Sequence, residues 1–325
     1  MVDGKLILKN TAALYIRAFV SLIVSLFTTR IILANLGVES YGVYQAVGGI
    51  VMLFSFLNIS LSNATQRFIS YYVGIGEEDK LKKLFTMAIH VHLIFSIIIV
   101  LIIEIFGIWY VKHEANFGDV QINAVYFVLH MSAIGLFFNI NSVPYRGFLI
   151  AKEAMKTFAY IDLLSVFLKL AFAASLIFVP GNKLEVYALL MMSGSLIIII
   201  VYKQVSNKKI PESKYMFYWD RLLFNKLLAF TGWTLIPAVS SILKGQGTIL
   251  LLNSFFGPVL NASQGIANQV KGGIKTFSLN LLAAFSPQIT ITYAKKDFKS
   301  MKKLILSGAK ITFYLFLFLC IPIMI

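Results

Sequence analysis

"LFTMAIHVHLIFSIIIVLIIEIFGIWY", residues 84–110, contains one charged residue, Glu104, in 27 positions. A helix needs about 20 apolar residues to cross the hydrocarbon of a bilayer, and stretches of this kind recur along the whole chain. The 325 residues are 58% hydrophobic and 13% charged, with a mean hydropathy of +0.81, far more apolar than a soluble domain. The strict alternation of an outer-membrane barrel is missing. The sequence therefore predicts an all-α polytopic membrane protein.

The apolar stretches predict about nine transmembrane helices. The first continues past 20 residues without a small-residue cleavage site, which indicates a retained span rather than a signal peptide. The single cysteine, Cys320, excludes a disulfide framework and a thiolate metal cluster. His90 and His92 are two residues apart and point to different helix faces, so they do not bind one metal ion together. The predicted spans are 11–35, 43–73, 84–110, 121–145, 157–179, 184–205, 226–253, 260–292 and 304–325.

The basic residues are distributed unequally between the two sides of these spans. The N-terminus and the connections 74–83, 146–156, 203–226 and 293–303 hold 19 Lys and Arg residues, whereas the opposite connections hold two, Lys112 and Lys183. Because cytoplasmic loops carry the excess of Lys and Arg, this asymmetry predicts a cytoplasmic N-terminus. The net charge of +15 is thereby explained by membrane topology, and nucleic acid is not an expected partner.

An internal repeat relates the two ends of the chain. At an offset of 220 residues, "LGVESYGVYQ" aligns with "FGPVLNASQG", and "GEEDKLKKL" aligns with "KDFKSMKKL". Six helices separate the copies, so both have the same orientation, as in parallel repeats about an axis along the membrane normal. This predicts a six-helix lobe (1–205), a cytoplasmic linker (206–225) and three helices of a second lobe (226–325), around a central cavity. The end inside an apolar run leads us to expect a C-terminally incomplete chain.

Three stretches carry a resemblance to a known family. They are "GVESYGVYQAVGGIVMLFSFLNISLSNATQRFISYYVG", "RGFLIAKEAMKTFAYIDLLS" and "NASQGIANQVKGGIKTFSLNLLAAFSPQIT". The chain resembles the bacterial polysaccharide flippases (O-antigen and teichoic acid type) of the multidrug, oligosaccharidyl-lipid and polysaccharide exporter superfamily. The resemblance implies two lobes with twelve or more spans around a central cavity, and outward movement of undecaprenyl-pyrophosphate-linked sugars.

Cations inside the predicted spans are the candidate substrate ligands. A charged residue at mid-bilayer costs about 2.5–3.5 kcal/mol on insertion scales, so several such residues need a water-filled lumen or an anionic partner. Lys271 and Lys275 are one turn apart, beside Gly272 and Gly273, and repel each other unless an anion lies near. Arg17, Arg30 and Lys310 lie nearer to span ends, where snorkelling to a headgroup is the alternative. The predicted pyrophosphate or lumen ligands are Arg17, Arg30, Lys169, Lys244, Lys271 and Lys275.

Two acids within the spans are candidate coupling residues, Asp162 and Glu104. Asp162 and Lys169 are seven residues apart and share a helix face, either as a relay or with Asp162 simply paired near the cytoplasmic mouth. Glu104 lies near the outer end of its span, where contact with the interface is the alternative. No Gly-rich phosphate loop occurs, so we expect no ATPase, no enzyme activity and no bound cofactor, with a proton or sodium gradient as the energy source.

These observations predict alternating-access export of an undecaprenyl-pyrophosphate-linked oligosaccharide to the outer leaflet, for surface polysaccharide (lipopolysaccharide) synthesis. The alternative is a cation-coupled multidrug antiporter of the same superfamily, which would carry an acid in span 1 or 7, where this chain has Arg17, Arg30 and Lys244. The expected location is the bacterial inner membrane. The expected partners are the lipid-linked oligosaccharide, the bilayer and other proteins of surface-polysaccharide assembly.

Overall fold

The computed structural model describes the backbone of residues 4–113 and 121–324, and the side chains of these residues except 4–8, most of 242–278 and a few other positions. In these ranges the chain forms eight α-helices joined by short turns, with no strand. The helices are α1 (Gly4–Leu53), α2 (Ser55–Ile75), α3 (Glu78–His113), α4 (Ile122–Ala151), α5 (Met155–Ser175), α6 (Lys183–Lys209), α7 (Arg221–Ala294) and α8 (Phe298–Met324). The predicted all-α membrane architecture is confirmed.

α1 bends at Gly37, inside the turn predicted between spans 1 and 2. Gly37 has φ 77° and ψ 167°, a conformation that a residue with a Cβ adopts only with strain. It divides α1 into a first limb, 4–36, and a second limb, 38–53. The helical path then breaks at Phe54 before α2 begins, so the predicted span 43–73 consists of two helical pieces rather than one.

α7 is assigned as one helical run of 74 residues, although the sequence predicts two spans and a turn at 254–259. A straight helix would place Phe230 and Ile289 about 90 Å apart. The side chain of Arg67 nevertheless lies over the Phe230 ring and lines a cavity together with Ile289. The run therefore doubles back between these residues, and its two limbs correspond to predicted spans 7 and 8.

α2 occupies the centre of the molecule, because it packs against both α4 and α7. Six described helical segments are long and apolar enough to cross a bilayer: Lys9–Gly37, Glu78–His113, Ile122–Ala151, Met155–Phe178, Lys183–Lys209 and Arg221–Ser241. α2 is not among them, since Asn58, Asn63 and Gln66 make it polar. Side chains of this kind inside a membrane hydrogen-bond or face a water-filled space rather than lipid.

Residues related by the 220-residue offset meet where α2 packs on the second limb of α7. A Cβ added to Gly74 would lie 2.6 Å from the Cβ of Ala294, and these two residues occupy the same position in the two repeats. Contact between equivalent positions is expected on a two-fold axis. On the first limb of α7, the Thr234 hydroxyl lies 3.4 Å from the Ser60 carbonyl oxygen. The contact of Gly74 with Ala294 fits the pseudo-two-fold axis that the repeat predicts.

The basic connections gather at one end of the molecule, which we call the basic end. The contact of Gly74 with Ala294 brings the turns after α2 and α7 together. The linker, residues 210–220, joins the same end: Lys152 donates to Glu212 at 2.7 Å, and the Lys83 ammonium lies 5.1 Å from the centre of the Tyr218 ring. Asp220 caps α7, and the hydrogen bond from the Leu223 backbone N–H lowers the pKa of its carboxyl.

Alanine at Gly74 tests the close lobe contact. Replacing glycine by alanine inside a helix ordinarily stabilises it by about 1 kcal/mol. At Gly74 the new methyl would lie 2.6 Å from Ala294 Cβ and 2.9 Å from the Ile291 carbonyl oxygen, so we expect Gly74→Ala to lower the thermal unfolding temperature in detergent. Gly232→Ala is the control, since nothing lies within 4 Å of its added Cβ, and we expect no loss of stability there. Equal stabilisation by both variants would contradict the tight contact.

Candidate functional site

A polar cavity of about 270 Å³ lies inside the first six-helix bundle. We call it the N-lobe pocket. The second limb of α1 supplies Tyr44, Gly48 and Val51, and α4, α5 and α6 supply the rest of its wall. Half of the lining residues are polar or aromatic, namely Tyr44, Ser132, Asn139, Ser142, Arg146, Asp162, Ser165, Lys169, Phe172, Ser195 and Tyr202.

Asp162 on α5 is held between two arginines from different helices. Arg17 on α1 places its Nη1 2.7 Å from Oδ2 of Asp162, which is the length of a charge-assisted hydrogen bond. Nη2 of Arg146 on α4 lies 3.7 Å from Oδ1, close enough for attraction but too far for a hydrogen bond. We call these three residues the arginine-aspartate cluster. One carboxylate balances only one of the two guanidinium charges.

Phe158 on α5 lies close to both guanidinium groups. The Cζ atoms of Arg17 and Arg146 are 5.2 and 5.5 Å from the centre of its ring, within the range of cation–π attraction. This contact stabilises two like charges on neighbouring helices without adding a second carboxylate. The cluster therefore keeps a net positive charge.

The cluster also reaches the second lobe. Nη2 of Arg17 donates to Oδ1 of Asn280, on the second limb of α7, at 3.0 Å. Nε of Arg17 and Nδ2 of Asn280 are buried donors with no hydrogen-bond partner among the described atoms. Buried donors are nearly always paired in folded proteins, so this position at the lobe boundary has unused hydrogen-bonding capacity.

Lys169 adds a further positive charge to the pocket. Its exposed side chain lines the cavity two turns along α5 from Asp162, and no carboxylate of the described chain pairs with it. Arg17, Arg146 and Lys169 thus face one carboxylate, Asp162. This leaves a surplus of two positive charges, which favours an anionic occupant.

The MatE family model matches residues 15–174. An outward-facing multidrug resistance MATE family transporter of the MOP superfamily superposes with a TM-score of 0.81 at 14% identity, covering 97% of this chain and 72% of that chain. A MATE transporter in complex with MaD3S gives 0.83 at 14% identity, covering 96% and 70%. The chain has the fold of the MATE transporters. No curated protein matches its sequence.

A third solved structure with this fold has a different pocket chemistry. It is a MOP superfamily transporter from Pyrococcus furiosus, described as having a binding pocket of reverse polarity that suggests a different function. It superposes with a TM-score of 0.78 at 13% identity, covering 97% of this chain and 72% of that chain. The superfamily fold expected from the sequence is confirmed, whereas the finer resemblance to polysaccharide flippases is not reflected in these multidrug-type neighbours.

The structure brings together only part of the predicted cationic set. Lys169 lines the N-lobe pocket with Asp162, and Arg17 pairs with Asp162 instead of standing free in a lumen. The side chains of Arg30, Lys244 and Lys275 are exposed and are not among the described lining residues of the pocket. The side chain of Lys271 lies outside the described residues. Asp162 is paired with Arg17 and lies near Arg146, and its role as a coupling residue stays a prediction.

Glu104 has a partner that the sequence analysis overlooked. Its carboxylate lies 2.7 Å from Nδ1 of His130, which joins α3 to α4 away from the N-lobe pocket. Glu104 therefore contacts a neighbouring helix, and its role in coupling stays a prediction. On the same pair of helices, Asn141 donates to the Ser96 hydroxyl at 2.8 Å. The two coupling candidates, Asp162 and Glu104, thus belong to different polar clusters.

Two arginines of the structure were missed as site residues. The sequence analysis places Arg146 in a connection, because predicted span 4 ends at 145. In the structure α4 continues past Pro144 to Ala151, so Arg146 is part of the helix. The apolar "GFLIA" that follows it was the available signal for a longer helix. Arg67, within predicted span 2, received no role, although it lines a cavity between the lobes.

A double-mutant cycle tests the ion pair of the cluster. Arg17→Gln, Asp162→Asn and the double variant should show a coupling energy of about 1–3 kcal/mol in reversible unfolding in detergent, because each single change leaves a half-buried charge without its partner. The control cycle uses the exposed pair Lys80–Glu77 at the basic end, where solvent screening should leave a much smaller coupling. Equal coupling in the two cycles would argue against a special role of the cluster.

Proposed function

We propose that the chain is a membrane transporter whose cargo carries a phosphate or pyrophosphate group, as in a lipid-linked oligosaccharide. The observation that carries this proposal is the surplus of positive charge in and beside the N-lobe pocket, with Lys169 lining it and one carboxylate for three cations. A transporter fold with a cationic polar cavity is suited to an anionic head group.

The energies favour the same cargo. A positive charge about 4 Å from a phosphate gains on the order of 4 kcal/mol at an effective dielectric constant near 20. Placing one Lys or Arg at mid-membrane costs about 2.5–3.5 kcal/mol. An anion therefore compensates the cost of each unpaired cation, whereas a cationic drug would add repulsion to it.

The size of the pocket limits what it holds. At about 270 Å³ it is slightly smaller than the usual range for drug-sized ligands, about 300–1,000 Å³. It accommodates a pyrophosphate or a single sugar, and the lining hydroxyls and amides of Ser142, Ser165 and Asn139 suit such groups. The remaining cargo would extend past Arg17 into the space between the lobes.

A cation-coupled multidrug antiporter is the second candidate, and the solved structures favour it. Neighbours with this fold include a multidrug resistance MATE transporter, so by likeness this function fits better than a flippase. The described side chains favour an anionic cargo instead. Asp162 already interacts with Arg17 and Arg146, so its carboxylate is not free to bind a cationic drug. The Pyrococcus furiosus relative, with its reverse-polarity pocket, supports the view that this fold serves cargoes of either charge.

The proposal includes an orientation and an energy source. The basic end would face the cytoplasm of a bacterial inner membrane, because Lys and Arg collect on that side. A proton or sodium gradient would supply the energy, and Asp162 and Glu104, the two acids within the predicted spans, are the candidate coupling residues. Lys244, Lys271 and Lys275 remain predicted lumen residues of the second lobe.

Reconstitution with two kinds of cargo tests the proposal. Proteoliposomes are loaded with a fluorescent prenyl-pyrophosphate-linked N-acetylglucosamine, and its movement between leaflets is followed by an impermeant quencher. We expect transport by the wild-type chain and a loss of about tenfold or more in Arg146→Gln and Lys169→Gln. Lys183→Gln, at the start of α6 and away from the pocket, is the matched control and should transport normally.

The same vesicles distinguish the two candidates. With ethidium as the cargo and an imposed proton gradient, we expect no uptake above that of empty vesicles. Ethidium transport that is abolished by Asp162→Asn, together with no movement of the glycolipid, would establish the antiporter instead.

A further inference from the structure

A second polar cavity, of about 240 Å³, lies between α2 and the second limb of α7. We call it the inter-lobe cavity. It shares no lining residue with the N-lobe pocket, and it belongs to both lobes rather than to one. Its polar lining consists of Asn63, Gln66, Arg67, Ser70, Ser286 and Thr290.

The cavity is built around the pseudo-two-fold axis. Ser70 and Thr290 are equivalent under the 220-residue offset, and so are Gln66 and Ser286. One helical turn beyond Ser70, Gly74 meets Ala294 and closes the interface at the basic end. A group held in this cavity therefore contacts both lobes directly above the point where they close.

Arg67 gives the cavity its charge. The described lining contains no carboxylate, and Arg67 pairs with none in the described chain. Its guanidinium lies 4.7 Å from the centre of the Phe230 ring, which holds the plane of the group by cation–π attraction. Its N–H donors remain able to form the paired hydrogen bonds that guanidinium makes with phosphate.

Ser70 adds unused hydrogen-bonding capacity to the wall of the cavity. Only 1% of the residue is exposed, and its hydroxyl is enclosed and has no hydrogen-bond partner among the described atoms. A buried hydroxyl without a partner costs about 1–3 kcal/mol. A rotation of the side chain about χ1 would turn this hydroxyl toward a ligand oxygen in the cavity.

We propose that the inter-lobe cavity is a second phosphate-binding subsite, anchored by Arg67 and Ser70. A tetrahedral oxyanion fits an arginine, hydroxyls and amides at one place, whereas a neutral sugar leaves the guanidinium charge uncompensated and a cation is repelled. The inference rests on the proposed function only in taking the cargo to carry the phosphate. A tightly held phospholipid head group has the same chemistry and is the other source of the ligand.

Calorimetry with inorganic pyrophosphate tests the subsite. The purified chain in dodecyl maltoside, free of added phospholipid, should bind two pyrophosphates. We expect Arg67→Gln to remove one site and to leave the affinity of the other within about twofold. Arg146→Gln should remove the other site, and Lys112→Gln, on the opposite side from the basic end, should keep both.

Milder variants cover the case in which Arg67→Gln does not fold. Ser70→Ala nearly keeps the side-chain volume, and Arg67→Lys keeps the positive charge. Each should weaken pyrophosphate binding at the same site by about threefold to tenfold. Native mass spectrometry in phosphatidylglycerol distinguishes the two sources. A phospholipid retained by the wild type and lost in Arg67→Gln identifies a lipid head group, whereas a subsite that binds pyrophosphate without retaining phospholipid identifies the cargo.

The outcomes separate this inference from the proposed function. One pyrophosphate per chain, insensitive to Arg67→Gln and removed by Arg146→Gln, would overturn the second subsite and leave the N-lobe pocket intact. No pyrophosphate binding at all would overturn both. Two sites that persist in Arg67→Gln, Arg67→Lys and Ser70→Ala would also overturn the assignment to the inter-lobe cavity.

Discussion

The architecture depends on a helix that cannot face lipid. α2 carries amides, hydroxyls and an arginine along its length, and each of these groups is costly in hydrocarbon unless it is paired or hydrated. Packing α2 against α4 and α7 buries Ser60, Thr65 and Ser70, whereas Asn63 and Arg67 stay exposed. The same placement puts its polar face at the boundary of the lobes, where Arg67 and Ser70 line a cavity. The requirement to shield one polar helix therefore also creates the polar space between the lobes.

Electrostatics within the first lobe follows a similar logic. Asp162 neutralises Arg17 well but Arg146 poorly, since the two guanidinium groups lie 2.7 and 3.7 Å from its oxygens. Phe158 stabilises both through its ring without cancelling charge. A second carboxylate would have made the cluster a neutral structural element. Because only one is present, the cluster combines a structural role for Arg17, which also bonds Asn280, with a residual attraction for anions.

The sequence predicted the features that depend on one-dimensional patterns, and missed those that depend on the rotation of helices. The apolar stretches predict the helices, and the basic loops predict one common end of the molecule, where α2 and α7 meet. The 220-residue offset makes Gly74 and Ala294 equivalent positions, and these two residues are in contact. Hydropathy says nothing about the direction in which a side chain points, so the sequence predicts Arg17 as a lumen ligand or a snorkelling residue and does not predict its pairing with Asp162. The sequence does not identify Arg146 as a cavity residue, because predicted span 4 ends at 145, six residues before the end of α4 at Ala151. It does not identify His130 as the partner of Glu104, because no local pattern links residues that are 26 positions apart.

The linker between the lobes is attached to one of them along much of its length. Lys152 bonds Glu212, Lys83 lies over Tyr218, and His90 contacts the aromatic rings of Tyr215 and Trp219. A segment fastened in this way moves with the first lobe as a rigid extension of it. The start of α7 also touches α2, at Phe230 and Thr234. Any rocking of one lobe against the other therefore has to change the contacts between α2 and α7, and not the conformation of the connection.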